Sequence, residues 1–199
     1  MVIFAYVVGC EETRKAMLID PAAEVDRIIA QVEADDLKVE LIVNTHPHGD
    51  HIGGNRRAKE LTGAPIAVHR DAADLLEHGL SPAMAMMIGG EPSPPADRLI
   101  DDGETIEIGT LRFKALHTPG HSPGSICIAG HGAVFTGDVL FVGAVGRTDL
   151  AGGSARTLRA SIREKLFDLQ DETIVYPGHD YGPAPTSTIG RERRTNPFV

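Results

Sequence analysis

The most restrictive feature of the chain is the run Thr45–His51, Thr-His-Pro-His-Gly-Asp-His, which holds three histidines and an aspartate. Histidines at i, i+2 and i+5 do not lie together on one face of a regular helix, where residues recur at intervals of three and four. The apolar residues Leu41–Val43 before the run predict a buried strand, and the proline and glycines within and after it predict a loop. Burying so many polar groups side by side is costly unless they share a partner. The run therefore predicts a bound cation.

The length and composition are those of an ordinary globular protein. With 199 residues, of which 42% are hydrophobic and 24% charged, we expect residues 1–199 to form a single domain. The two cysteines, Cys10 and Cys127, are too few for a disulfide framework and predict free thiols in a reducing compartment.

The charge balance excludes some classes of partner. A net charge of −9 repels nucleic-acid phosphates, and no apolar stretch is long enough to cross a bilayer. The segment Met1–Gly9 has no basic leader and predicts an opening strand rather than a signal peptide. We therefore expect a cytoplasmic protein that acts on a small molecule, without nucleic-acid or membrane partners. The oligomeric state stays open.

The hydrophobic pattern predicts strands and helices in both halves of the chain. Strands are expected at 2–8, 16–19, 39–44, 65–68, 106–108, 111–116, 126–128, 133–135 and 173–176, the last of which closes the order. Helices are expected from Asp20-Pro21 onward, at 55–61, at 70–78 and from Ser154 onward. Two sheets packed together with helices outside them is the natural arrangement of these elements.

Three further strand ends resemble the first. Histidine or aspartate follows a hydrophobic strand in Leu116–Ser122, in Phe135–Asp138 and in Val175–Asp180. Because a sheet is rigid, it can hold functional side chains at such strand ends in fixed positions. Four strand ends with metal-type ligands in one chain predict a common site.

On these residues the chain resembles the metallo-β-lactamase fold superfamily over essentially its whole length. The motif T-H-x-H-x-D-H is intact at 45–51, and His121, Asp138 and His179 match the later single ligands. The segments 146–149 (Gly-Arg-Thr-Asp), 187–190 (Ser-Thr-Ile-Gly) and 196–198 (Asn-Pro-Phe) resemble the glyoxalase II-like branch, the hydroxyacylglutathione hydrolases and their short relatives. The resemblance implies an α+β fold, a four-layer αββα sandwich.

The resemblance also implies two divalent metal ions. The first would be held by His46, His48 and His121, the second by Asp50, His51 and His179, and both would be bridged by Asp138. Imidazole and carboxylate suit zinc, iron and manganese, and no thiolate narrows the choice. Zinc is the default expectation, with iron or manganese open.

The implied activity is hydrolysis of a thioester of the acylglutathione type. Two cations would lower the pKa of a shared water, and the resulting hydroxide would attack the carbonyl. Asp50 and Asp138 are the expected catalytic carboxylates, and Arg147 and Tyr181 the expected substrate contacts. Only 20 residues follow His179, too few for the helical domain with which full-length glyoxalase II binds glutathione. Recognition of glutathione is therefore not implied.

One rival belongs to a different class. Persulfide dioxygenases share the ligand pattern and the segments 146–149 and 179–181, but generally use one iron at positions matching His46, His121 and Asp138. The segment 70–98 favours the hydrolase, because the dioxygenases tend to be more compact there. A lactonase or a phosphodiesterase remains possible, since a two-metal core activates water without choosing the acyl group. The other histidines, His69, His78, His117 and His131, are interpreted as structural or surface residues.

Overall fold

The computed structural model describes residues 2–78, 81–87 and 90–199. Its first sheet contains five strands in sequential order, of which β1 is antiparallel to β2 and the others run parallel. The strands are β1 Tyr6–Gly9, β2 Lys15–Ile19, β3 Lys38–Val43, β4 Ile66–His69 and β5 Arg98–Ile100.

The second sheet has six strands in the order β13-β12-β9-β8-β7-β6. Its members are β6 Thr105–Ile108, β7 Leu111–His117, β8 Ile126–Gly130, β9 Ala133–Gly137, β12 Ile174–Pro177 and β13 Ser187–Thr188. Only the pair β9 and β12 is parallel. Between β9 and β12 the chain forms a separate small hairpin, β10 Leu140–Phe141 and β11 Ala144–Val145.

Seven α-helices lie in the described part of the chain. They are α1 Val25–Ala34, α2 Gly49–Ile52, α3 Asn55–Thr62, α4 Ala73–His78, α5 Pro82–Met87, α6 Ala155–Ser161 and α7 Ile189–Thr195. Ser154 begins α6 because its side chain accepts a hydrogen bond from the Thr157 N–H. The helix continues as a wider turn through Ile162–Leu166. No helix in these residues is long and apolar enough to cross a membrane.

Alternating side chains divide the core into three layers. In β2, Met17 and Ile19 pack between the sheets, whereas Leu18 packs under the helices α1 and α3. The second sheet alternates in the same way, with Ile128 facing the first sheet and Cys127 facing α6. Helix on sheet, sheet on sheet and sheet on helix are the three interfaces of a four-layer αββα sandwich. The predicted fold class is confirmed.

The topology brings the ends of distant strands to one edge. The strands β2 and β3 are parallel and therefore end on the same side of the first sheet. In the second sheet β7 is antiparallel to β8 and β8 to β9, so β7, β9 and β12 also run in one direction. The loops that leave these five strands meet at the edge shared by the two sheets.

Two expectations about the elements were wrong. The first helix begins at Val25 rather than at Asp20-Pro21, because Asp20 is in the left-handed region with φ 49°. The strand near 173–176 does not close the order, since β13 and α7 follow it. The hairpin β10–β11 was not anticipated, because two-residue strands carry too little alternation to be recognised. Within the histidine run, the predicted loop also includes one helical turn, α2.

Gly120 tests the packing of the His121 loop on α6. Its φ of +134° is unfavourable for any side chain, and a Cβ there would overlap the Leu158 backbone. We expect Gly120→Ala to lower the thermal unfolding midpoint strongly. Gly63→Ala is the matched control, since Gly63 has φ +69° but open space around it, so only the backbone penalty of ~1–2 kcal/mol applies. Equal midpoints for the two variants in thermal denaturation would contradict this packing.

Candidate metal centre

Seven side chains from four loops converge at the shared edge of the sheets. The loop after β3 and the following turn α2 provide four of them, and the loops after β7, β9 and β12 provide one each. Six of them form two sets of three whose ligand atoms lie within 4.8 Å of one another: His46, His48 and His121, and Asp50, His51 and His179. The structure thus brings together all the residues that the sequence proposed as ligands.

Asp138 lies between the two sets. Its Oδ2 is 3.6 Å from His121 Nε2 in the first set and 3.4 Å from His179 Nε2 in the second, and its Oδ1 is 3.2 Å from His51 Nε2. One carboxylate therefore reaches nitrogens of both sets. This is the position that a bridging ligand requires.

Hydrogen bonds on the outer side of each ring determine which nitrogen faces the centre. His51 Nδ1 donates to Asp20 Oδ2 over 2.9 Å, His121 Nδ1 donates to the Arg147 carbonyl over 2.8 Å, and His179 Nδ1 donates to the Val2 carbonyl over 3.1 Å. Since each acceptor is a carboxylate or a carbonyl, each Nδ1 carries the proton and the Nε2 lone pair points inward.

His46 is oriented through a second side chain. The Thr45 hydroxyl donates to Asp20 Oδ2 over 2.6 Å, so its oxygen accepts from His46 Nδ1 at 3.0 Å. The remaining nitrogen, His46 Nε2, is buried and has no hydrogen-bond partner among the described residues. A buried nitrogen lone pair without a donor is costly unless something else, such as a cation, binds it.

The spacing of the ligand atoms fits a metal ion. Bonds of ~2.0–2.1 Å at tetrahedral or right angles place two ligand nitrogens roughly 2.8–3.4 Å apart. His51 Nε2 and His179 Nε2 face each other at 3.2 Å, and His121 Nε2 and His48 Nδ1 at 2.8 Å. With their Nδ1 protons directed outward, the neutral rings of His51 and His179 would present two lone pairs to each other. A cation between them removes this repulsion.

The first histidine set favours neutral imidazoles. Burial lowers the pKa of His46 well below its ordinary value, with help from the nearby His51. Burial and the neighbouring His121 lower the pKa of His48 to about 4, and burial also lowers the pKa of His121. Neutral imidazole is the form that binds a metal ion.

The second set is tied to the carboxylates. Burial opposes the charge on His51, but Asp138 and Asp20 outweigh it and raise the pKa to about 10. Burial likewise opposes the charge on His179, while Asp138 and Asp50 raise its pKa to about 9. These carboxylates favour positive charge at the second set, which a divalent cation supplies when it replaces the protons.

Asp20 is the residue that sequence reasoning missed. It is buried, and besides His51 and the Thr45 hydroxyl it accepts the Thr45 N–H at 2.8 Å. It therefore orients one histidine directly and another through Thr45. Its position directly after the strand β2 was the signal that could have found it, because the four recognised ligand groups also follow strands.

The centre lies in an open cavity of about 620 Å³. Arg147 and Tyr181, the expected substrate contacts, both line this cavity together with Ile3, Met87 and Leu150. The Arg147 guanidinium forms a two-bond ion pair with Asp149, at 2.8 and 2.7 Å. The Tyr181 ring stacks on His179, with 4.8 Å between ring centroids, and half of the residue is exposed.

The remaining histidines lie elsewhere. His69 and His117 stack with 3.9 Å between ring centroids, and Asp71 lies beside them. His69 Nδ1 accepts the Asp71 N–H, and His117 Nε2 donates to the Pro123 carbonyl. Because His69 Nδ1 and His117 Nε2 each bond to the backbone, we keep the interpretation that these two histidines are structural. His78 is exposed at the end of α4. His131 Nε2 accepts the Arg112 N–H in the second sheet.

Comparison with known proteins identifies the family. The model of the metallo-beta-lactamase superfamily matches residues 1–179. The hydroxyacylglutathione hydrolase GloC of Haemophilus influenzae is 36% identical over 197 residues, covering 95% of this chain and 89% of the relative. The human mitochondrial persulfide dioxygenase ETHE1 is 35% identical over 197 residues, covering 98% of this chain and 70% of the relative. The solved structure of TTHA1623 in a di-iron-bound form superposes with a TM-score of 0.84 at 36% identity, covering 98% of this chain and 94% of that one.

Asp20 generates a prediction about metal affinity. In Asp20→Asn only the amide oxygen can accept a hydrogen bond, so either the Thr45 N–H or both the Thr45 hydroxyl and the His51 Nδ1–H lose their acceptor. We expect metal affinity to fall by roughly 10–100-fold, the usual cost of losing a partner that orients a ligand. Competition with a chromophoric chelator measures this. Asp26→Asn, at an exposed ion pair with Arg57, is the control and should bind metal like the unmodified protein. Unchanged metal affinity in Asp20→Asn would show that Asp20 does not support the metal ligands.

Proposed function

Because the chain belongs to the metallo-beta-lactamase superfamily, we propose that it is a metal-dependent hydrolase of thioesters of the acylglutathione type. The observation that carries the proposal is the pair of three-residue ligand sets joined by Asp138 at the floor of one open cavity. The similarity to the hydrolase GloC, which extends over 95% of this chain, supports the thioester. We further propose that residues 1–199 act as one domain.

The donor set suits two divalent ions. His46, His48 and His121 would hold one ion, Asp50, His51 and His179 the other, and Asp138 would lie between them. When bound, such ions supply hydroxide at neutral pH and polarise a carbonyl oxygen. We propose zinc as the bound metal, and iron as the alternative because TTHA1623 has been solved in a di-iron-bound form.

We assign to Asp50 the role of accepting the hydrogen bond, and then the proton, of the attacking water. Its Oδ2 is 3.4 Å from His179 Nε2, and its side chain is 39% exposed, whereas that of Asp138 is only 12% exposed. Burial would raise the pKa of Asp50, but His179 and His51 outweigh it and hold the pKa below its usual value. Asp50 is therefore a carboxylate at neutral pH and able to accept a hydrogen bond from water in the cavity.

Arg147 and Tyr181 are placed to bind the substrate beside the centre. The guanidinium of Arg147 suits a carboxylate of the thiol portion, although Asp149 competes for the same donors. Tyr181 offers an exposed ring edge and hydroxyl next to His179. The apolar cavity wall, which includes Met87 and Leu150, suits the acyl group.

The persulfide dioxygenase is the second candidate, because human ETHE1 is 35% identical and the match covers 98% of this chain. In that case a single iron would be held by His46, His121 and Asp138, and the substrate would be a persulfide rather than a thioester. Lactones and phosphodiesters are further substrates that the same centre suits.

Two assays on one preparation test the proposal. Protein purified without added metal is analysed for zinc, iron and manganese, and is then given an acylglutathione and, separately, glutathione persulfide with oxygen. We expect thiol release from the thioester, loss of that activity after chelation, and recovery on adding metal back. Oxygen uptake with the persulfide, without thiol release from the thioester, would show that the protein is a dioxygenase and not a hydrolase.

Asp138 is the residue whose loss should matter most. In Asp138→Ala both ligand sets lose the carboxylate they share, so we expect a loss of turnover of about 100-fold or more and a lower metal content. Turnover and metal content are measured on the same sample. Asp74→Ala, an exposed position on α4, is the control for a lost aspartate. Near-normal turnover in Asp138→Ala would contradict the bridging role.

A further inference from the structure

Glu192 on α7 is a fully buried carboxylate outside the metal centre. Its side chain accepts hydrogen bonds from the Gly143 N–H at 2.9 Å, from Asn196 Nδ2 at 2.9 Å and from the Ser187 hydroxyl. In the part of the chain that the structure describes, it forms no ion pair. Burying a carboxylate without a cation is expensive. An apolar side chain would fill the space at lower cost, but could not accept the Gly143 N–H.

Gly143 is at the tip of the hairpin β10–β11, which needs such an anchor. Two paired strands of two residues each are too short to be stable alone. The base of the hairpin is held by the Thr136 hydroxyl, which donates to the Leu140 carbonyl over 2.7 Å. The tip is held from α7, by Glu192 on Gly143 and by Asn196 Nδ2, which donates to the Ala144 carbonyl over 3.0 Å.

The hairpin reaches three parts of the metal centre. Asp138 lies two residues before it, and Arg147, whose carbonyl orients His121, lies two residues after it. On the hairpin itself, the Phe141 ring packs edge-on against Tyr181, with 5.1 Å between ring centroids, and lies 6.0 Å from the His179 ring. A shift of the hairpin therefore changes the support of a candidate ligand in each set.

From these contacts we propose that Glu192 is a positioning residue for the metal centre. Its carboxylate holds the tip of the β10–β11 hairpin, and the hairpin in turn holds the Arg147 carbonyl against His121 and the Phe141 ring against His179 and Tyr181. Glu192 touches neither the ligands nor the cavity. The inference rests on the ligand assignment but not on which reaction the centre catalyses.

Glutamine can replace this glutamate with little loss of geometry. The Gly143 N–H and Asn196 Nδ2 both approach Oε2, while only the Ser187 hydroxyl approaches Oε1. In Glu192→Gln the amide oxygen can accept the first two bonds, and the amide nitrogen can donate to Ser187 Oγ after the hydroxyl rotates. Glu192→Ala removes all three acceptors. Ser187→Ala removes a bond to the same carboxylate without touching the hairpin, and is the matched control for lost stability.

The test uses Co²⁺ as the probe. Chelator competition measures the Co²⁺ affinity, and the visible spectrum of the Co²⁺-loaded protein reports the ligand geometry. Unfolding midpoints are recorded without metal. We expect Glu192→Ala to weaken Co²⁺ binding by about 10-fold, at the lower end of losses for residues that orient ligands, and to change the spectrum. The Co²⁺ affinity of Glu192→Gln should stay within about twofold of that of the unmodified protein, because the ligands keep their orientation. Ser187→Ala should lower the midpoint and leave affinity and spectrum unchanged.

Three results would overturn the proposal. One is a lower midpoint for Glu192→Ala with unchanged affinity and spectrum, which means that the residue is structural only. Another is a Glu192→Gln variant that behaves like Glu192→Ala, which means that the hydrogen-bond geometry is not what matters. The third is an equal loss of affinity in Ser187→Ala. If Glu192→Ala does not fold, Asn196→Ala takes its place: it removes the bond to the Ala144 carbonyl and should also weaken Co²⁺ binding.

Discussion

The orientation of the imidazole rings is the constraint on which the centre depends. Outer acceptors of His46, His51, His121 and His179 hold the Nδ1 protons, so the Nε2 lone pairs are directed inward. Lone pairs aimed at one another across about 3 Å repel unless a proton or a cation lies between them. Much of the surrounding structure can be understood as support for this arrangement, which a metal ion completes.

That support comes from unlike parts of the chain. Asp20 is a side chain, whereas Val2 and Arg147 contribute only their backbone carbonyls. A backbone acceptor is insensitive to the identity of its side chain but depends entirely on where the segment lies. For this reason the hairpin β10–β11 and its anchor Glu192 matter to His121, although Glu192 itself does not line the cavity.

The comparison of sequence and structure separates local from distant information. The strands, the loop character of His46–His48 and the helix beginning after Ser154 follow from alternation, turn residues and capping, which are properties of neighbouring residues. The position of Asp20 after a strand marks it as a candidate, but its partners could not be found from neighbouring residues, because they lie 25 and 31 residues further along the chain. The same holds for β13, α7 and the residue that follows α7: the polar residues Ser187, Glu192 and Asn196 have no apolar pattern to mark them, yet they are buried against one another.

By itself, the sequence determined that the site is built from metal-type ligands. The histidines and aspartates at four strand ends, together with the family motif, predict a metal centre. Only the tertiary structure decided which nitrogen of each ring faces inward, that Asp138 lies between the two sets, and which distant groups hold them. The physical reason is that strand direction is a property of whole sheets. Parallel pairing aligns the ends of β2 with β3 in one sheet and of β9 with β12 in the other, and the packing of the two sheets brings these ends to one edge, so that the His51 and His179 rings lie within 3.2 Å of each other.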